Sequence, residues 1–430
     1  MIARVLGAMV LLVAVLLSAF LFWPRDRQSG EAPPSAVLPA DTDPLLRGAA
    51  LVTLGDCRAC HTARGGAAFA GGRAIDTPFG TFYSPNITPD AETGIGQWTQ
   101  DDFWRALHDG RGRHGEPLYP TFPYTNYTKL SRADADAMYA YLQTIPASTQ
   151  ANREHALKFP YQYRALLHGW RLLFFRPGVY EADPGRSVEW NRGAYLVQGL
   201  GHCSACHEAR NALGAIQSKD NPSGGLVLNW YAPALQAKAE AGVQRWSEDE
   251  IVALLKTGTA NDAVTLGPMA EVVYESLQHV DAAELRAMAV YLRALPEREP
   301  APADRASVKA SVSAGSASAR QLLGAKLYAE HCAGCHGEQG EGGAPAAPAL
   351  AGNRALLMAS AVNPIRVLLY GGYAPATAGN PRPYGMPPFA QSLSDEQIAA
   401  ILSYTRTAWG NEAEAVPAIE VQRGRSGPLW

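Results

Sequence analysis

The chain has 430 residues, which corresponds to roughly two to four domains of ordinary size. Hydrophobic residues make up 47% and charged residues 18%, so packed cores can form and a disordered chain is excluded. The net charge of -3 supplies no basic field, which argues against nucleic-acid binding.

In chain order, residues 5–23 form an apolar run broken only by Gly7 and Ser18. That is long enough to cross a hydrocarbon core of about 30 Å as a helix. Residues 1–27 are therefore expected to be a transmembrane anchor, with a cleaved export signal as the alternative. Residues 28–42, rich in Pro and Ala, read as a linker. Three repeated units follow, expected at 43–158, 185–296 and 319–410. An aromatic- and Arg-rich connector (159–184) separates the first two, a small-residue linker (297–318) the last two, and 411–430 reads as a loose tail.

The units share a plan. Each opens with a short helix carrying Gly48, Gly193 or Gly324, and closes with a helix carrying Tyr141, Tyr291 or Tyr404, expected at 131–142, 281–295 and 394–407. A glycine at that place lets the closing helix approach closely. Between them come a Pro-x-Ile/Leu, at Pro85, Pro233 and Pro348, and a short helix at 101–110, 247–258 or 364–371.

All six cysteines lie in CxxCH motifs: Cys57-Arg-Ala-Cys60-His61, Cys203-Ser-Ala-Cys206-His207 and Cys332-Ala-Gly-Cys335-His336. This is the attachment signature of c-type haem. Two thiols one helical turn apart reach both vinyl groups of one porphyrin, and the adjacent His lies under the iron. Zinc would need a fourth ligand, and a redox dithiol would need a βαβ setting. Three covalent haems c are therefore expected, with His61, His207 and His336 as axial ligands. Each of these rings needs an acceptor for its other nitrogen; the carbonyls of Pro85, Pro233 and Pro348 are the candidates.

A thioether opposite His raises the potential. Met269 and Met386 are expected in Gly/Pro loops before the closing helices and are the expected sixth ligands. The matching position in the first unit is Phe122, which cannot bind iron. His108, His114 and Met138 are the other candidates there, or the iron is five-coordinate. Arg64, Arg210 and Arg73 are candidate partners for haem propionates, and Trp98 and Trp246 for packing against haem. No dinucleotide fingerprint and no nucleophile–base constellation is present, so chemistry on an organic substrate is expected in another subunit.

The strings Thr77-Pro-Phe-Gly-Thr-Phe-Tyr-Ser-Pro-Asn-Ile-Thr-Pro-Asp90, Thr93-Gly-Ile-Gly-Gln-Trp98 and Arg192-Gly-Ala-Tyr-Leu-Val-Gln-Gly-Leu-Gly-His-Cys203 accompany the three motifs. With them, residues 43 to 411 resemble the three-haem cytochrome c subunits of membrane-bound bacterial periplasmic dehydrogenases for alcohols, gluconate and other sugar acids. The resemblance implies a mostly α protein of three tandem class I-like cytochrome c domains after an N-terminal transmembrane helix. It implies a large dehydrogenase partner of quinoprotein, flavin or molybdenum type, with ubiquinone or a terminal oxidase as acceptor. It also implies anchorage in the bacterial inner membrane with the haem domains in the periplasm. Phe122 departs from the Met of alcohol-oxidising members and is closer to relatives serving molybdenum hydroxylases. Two rival readings are a peroxidase-like enzyme using an open first haem, and a cytochrome subunit of a terminal oxidase.

Overall fold

The structure, a computed structural model, describes residues 31–39, 41–217, 223–260, 263–298, 314–343 and 347–426. It is mostly helical, with only short antiparallel pairs of strands. The largest sheet is a hairpin, Ala74–Thr77 against Gly80–Tyr83, with Ala156–Leu157 on its second edge.

Each unit is built on one helix crossing. Pro44–Leu54 packs on Arg132–Leu142, Val188–Tyr195 on Ala282–Arg293, and Ala314–His331 on Asp395–Thr405. The closing helices start where a side chain satisfies free backbone N–H groups: Ser131, Asp281 and Ser394 are the caps. At each crossing a Cβ on Gly48, Gly193 or Gly324 would overlap the carbonyl of Ala137, Ala287 or Ala400, beside Tyr141, Tyr291 or Tyr404. The three glycines let backbone meet backbone, as their spacing suggested. Gly193→Ala is expected to cost about 1–3 kcal/mol through overpacking, read as a lower denaturant midpoint.

A second device recurs in the first two units. Arg47, just before Gly48, pairs with Asp134 at 2.6 Å. Arg192, just before Gly193, pairs with Glu284, with Nε donating to Oε2 at 2.8 Å and Nη2 to Oε1 at 3.0 Å. Both carboxylates are buried on the third residue of a closing helix. The third unit has Leu323 and Gln397 at these places, and Gln397 instead accepts from the backbone N–H of its own cap, Ser394, at 2.8 Å.

The units do not pack equally. Leu51, Met138, Leu196, Leu200, Leu285 and Met288 belong to one apolar core that runs through both of the first two units. The third unit has its own, around Leu327, Leu369, Ile398 and Leu402. It meets the second through a reciprocal pair of hydrogen bonds between Asn363 and the Tyr231 backbone (2.8 and 2.7 Å) and through Arg366, whose guanidinium lies over Trp230.

Three expectations need correction or refinement. The expected transmembrane helix falls in residues 1–30, outside the described residues, and among the described residues no helix is long and apolar enough to cross a membrane. The longest, Ala314–His331, has 18 residues but carries Arg320, Lys326, Glu330 and His331. The fold class therefore stands as mostly helical without a supported membrane-spanning helix, and the expected anchorage of the chain in the inner membrane loses its support with it. The segment 31–39, read as a free linker, lies on the first two units: Arg47 donates to Leu38 O, Arg192 donates to Pro33 O, and Ser35 donates to Glu284. Each guanidinium, half-buried at Arg47 and buried at Arg192, has more donors than one carboxylate accepts, and these carbonyls take the remainder. The tail also packs, through a helix at Ala418–Ser426, because Val416 and Val421 reach the third core. Most of the linker 297–318 lies outside the described residues.

Candidate haem sites

Each CxxCH follows an opening helix, in the second unit after a π-helical stretch at Leu196–Leu200, and forms a tight turn of its own, Cys57–His61, Ser204–His207 or Ala333–His336. His207 and His336 each donate a backbone bond to the first Cys of their motif, both at 2.9 Å. Thiols and imidazole therefore share one helical turn.

The rings are fixed alike. Nδ1 of His61 lies 2.8 Å from Pro85 O, that of His207 2.7 Å from Pro233 O, and that of His336 2.9 Å from Pro348 O. A carbonyl can only accept, so Nδ1 carries the proton and Nε2 keeps its lone pair for a metal. Burial pushes His61 and His207 below the ordinary imidazole range, which keeps them neutral and able to ligate. The loop after the first motif closes back on it: Gly71 N–H donates to His61 O at 2.7 Å. Gly71 is left-handed (φ 73°), and a Cβ there would overlap the Pro85 carbonyl. That glycine is required where the loop presses on the segment around Pro85 that holds His61.

Burial pushes the Cys57 and Cys203 thiols up to about 12 and that of Cys332 up to about 11. Among the described residues no cluster of His, Cys, Asp and Glu has the makings of an ordinary metal site. A porphyrin held by two thioethers and one imidazole per motif fits this donor set.

The candidate sixth ligands are both half-buried. Met269 is the second residue of a helix, Pro268–Glu275, entered through the left-handed Gly267, and not in a loop. Met386 is on a two-residue strand, Gly385–Met386, paired with Gly372–Tyr373. In the first unit, Phe122 packs its ring 5.4 Å from that of Tyr127, whose hydroxyl donates to Gly55 O at 2.9 Å. Two of the other three candidates there are engaged elsewhere. His108 is buried, stacks on Trp104 and shares a 2.8 Å bond with Asp109; Met138 is in the core; His114 is exposed.

The arginines are tied to protein groups. Arg210 donates to Gly214 O (2.8 Å) and Ala205 O (2.7 Å), while Arg64 is exposed. Arg73 donates to Ala59 O inside the first motif and to Glu271, two residues after Met269, with Nη2 2.7 Å from Oε2. Trp98 and Trp246 are half-buried against the shared core.

Other residues near the motifs were not apparent from the sequence. Asn126 of the first unit donates to Ser204 Oγ, inside the second motif, at 2.7 Å. Asp56 is buried and left-handed (φ 52°) just before Cys57; burial and then Glu271 raise its carboxyl well above the usual range. His202, just before Cys203, is left-handed and packs on Tyr127 (5.5 Å between rings). Positive φ outside glycine is a weak signal in sequence, though Asp and His tolerate it better than most residues.

Comparison with known proteins fits this geometry. The cytochrome c family model matches residues 45–146 and 322–409, leaving the middle motif outside. The chain is 41% identical over 366 residues to a nicotinate dehydrogenase subunit of Pseudomonas putida, covering 84% of this chain but only 30% of that longer protein. It is 38% identical over 405 residues to the cytochrome c subunit of the quinone-type alcohol dehydrogenase of Gluconobacter oxydans, covering 90% of this chain and 83% of the relative. A diheme c-type cytochrome of Cereibacter sphaeroides is 36% identical over 283 residues, covering 61% of this chain and 92% of its own. With relatives of this kind and a CxxCH–proline arrangement that suits haem, the chain belongs to the cytochrome c family and is an electron-transfer protein with covalently bound haem c.

Proposed function

We propose that the chain is a three-haem relay that accepts electrons from a catalytic dehydrogenase subunit and passes them to ubiquinone or a terminal oxidase. The observation that carries the count is the threefold His–proline bond. The middle motif, although unmatched by the family model, holds His207 on Pro233 O as the outer two hold theirs.

Haem supplies one-electron exchange at its iron. The protein's part is to attach, ligate and space the groups. Cys57, Cys60, Cys203, Cys206, Cys332 and Cys335 would attach them, and His61, His207 and His336 would ligate the irons. Met269 and Met386 would be the further ligands of the second and third sites and would raise their potentials. The first site has Phe122 where a thioether would be.

The relay reading draws on how the first two units hold each other's motifs. Asn126 holds Ser204, Arg73 joins Ala59 to Glu271, and Arg58 lies 3.5 Å from Glu275. Such cross-bracing fixes the separation of two redox centres. The partner, of quinoprotein, flavin or molybdenum type, holds the chemistry on the organic substrate, since relatives of this chain are subunits of nicotinate and alcohol dehydrogenases.

The test is a redox titration of the purified chain followed by carbon monoxide on the reduced form. Three one-electron steps are expected, one well below the other two, by a sizeable part of the roughly 0.8 V that axial ligands span. Three overlapping high potentials would overturn the assignment at Phe122. A first site that binds carbon monoxide, on a chain that purifies without a dehydrogenase subunit, would favour the peroxidase-like reading.

A further inference from the structure

The connector between the first two units presents an apolar face that none of the described residues covers. Phe159 is 78% exposed and Leu173 71% exposed, and Tyr163, Leu166, Leu172 and Phe174 are exposed beside them. Side chains of this kind are ordinary singly, but six within 16 residues of sequence form a patch that marks an interface.

The patch is held rigidly. Its helix, Leu166–Phe174, buries Leu167, while Trp170 Nε1 donates to Leu213 O at 2.9 Å in the second unit. Arg171 donates to Gly110 O at 3.1 Å and Arg164 to Pro117 O at 2.8 Å in the first. Tyr119, three residues before Phe122, donates its hydroxyl to Tyr161 O at 3.0 Å. The connector carrying the apolar face is therefore tied to the segment that leads into Phe122.

Its chemistry is selective. From residue 155 to residue 180 there is no Asp or Glu, while Lys158, Arg164, Arg171 and Arg176 are basic, in a chain of net charge -3. Phe, Tyr, Trp and Arg with few carboxylates is the composition of protein–protein interface cores. A lipid-surface helix would instead turn several Lys or Arg outward as headgroup contacts. The one arginine on this helix, Arg171, is turned inward, its guanidinium 5.0 Å from the Phe175 ring.

We propose that this face is where the catalytic dehydrogenase subunit docks, through an apolar surface rimmed by carboxylates, so that electrons enter at the first site. This rests on the relay reading above and names the contact it requires. The test compares the tagged full-length chain with its L166E/L173E and L166M/L173M forms, each isolated under mild detergent from the native host. Haem content and visible spectrum are checked first. The wild type and the Met form are expected to retain a large cofactor-bearing subunit whose substrate reduces the haems, and the Glu form to retain about tenfold less or lower still.

Equal retention by all three overturns the docking face while leaving the relay intact. A wild-type chain that retains no such subunit overturns the relay and this face together. If the wild type floats with phosphatidylethanolamine–phosphatidylglycerol vesicles while the Glu form keeps the subunit but does not float, the face is reassigned to lipid and the proposal is overturned. Amide exchange of the wild-type chain, free and in the complex, decides without any substitution. Slowed exchange over 159–174 in the complex is expected, and unchanged exchange there overturns the face.

Discussion

Glu284→Ala is expected to destabilise the fused first and second units by about 3–5 kcal/mol, seen as a large drop in the urea midpoint. The carboxylate is buried and accepts from two nitrogens of the Arg192 guanidinium, which is itself buried. Removing it strands a cation in the core, left to the Pro33 carbonyl and the neighbouring Tyr195 ring. A stranded buried charge costs far more than the pair contributes. The control follows from the same reasoning: the double change R192M/E284L removes both charges and is expected to recover most of the loss. If Glu284→Ala unfolded no more easily than the wild type, the pair would be a surface contact in solution. The third unit, with Leu323 and Gln397 at these positions, supplies no such pair to lose.

The second large effect concerns the middle motif. Cys203→Ala with Cys206→Ala is expected to lower covalent haem per chain by about a third, measured as haem retained after denaturation. Unchanged haem content would make this a two-haem protein. The expected damage does not stop at stoichiometry. Ser204 lies between the two cysteines and is gripped by Asn126 of the first unit, and the two units share one core. Loss of the middle haem is therefore expected to loosen the first site as well, whereas the third site should be spared.

Much of this site could be read from the chain because haem attachment is local chemistry. Two cysteines and a histidine within five residues state their purpose without a fold. The glycine and tyrosine of the helix crossings were legible because they recur three times at matching places, and so were the prolines opposite His61, His207 and His336. What could not be read depends on partners far away in sequence. Arg192 and Glu284 are 92 positions apart, and the linker residues that complete them are more distant still. Nothing in Pro33 or Ser35 announces a buried arginine waiting for an acceptor. The tail looked loose because two valines in a polar stretch carry little pattern, yet both are buried. Met269 looked like a loop residue because Gly-Pro precedes it, but proline at the start of a helix is favoured, and a helix begins there.

One large core shared by two units, and a small separate one for the third, also bears on how such chains can change by descent. A duplication or deletion that cuts through the first 300 residues severs Leu51 and Met138 from Leu196 and Leu285 and leaves two half-cores exposed. A cut in the linker before Ala314 breaks no core. The last unit can therefore be lost, exchanged or grafted onto a different chain in a single genetic step, while the first two must be inherited together.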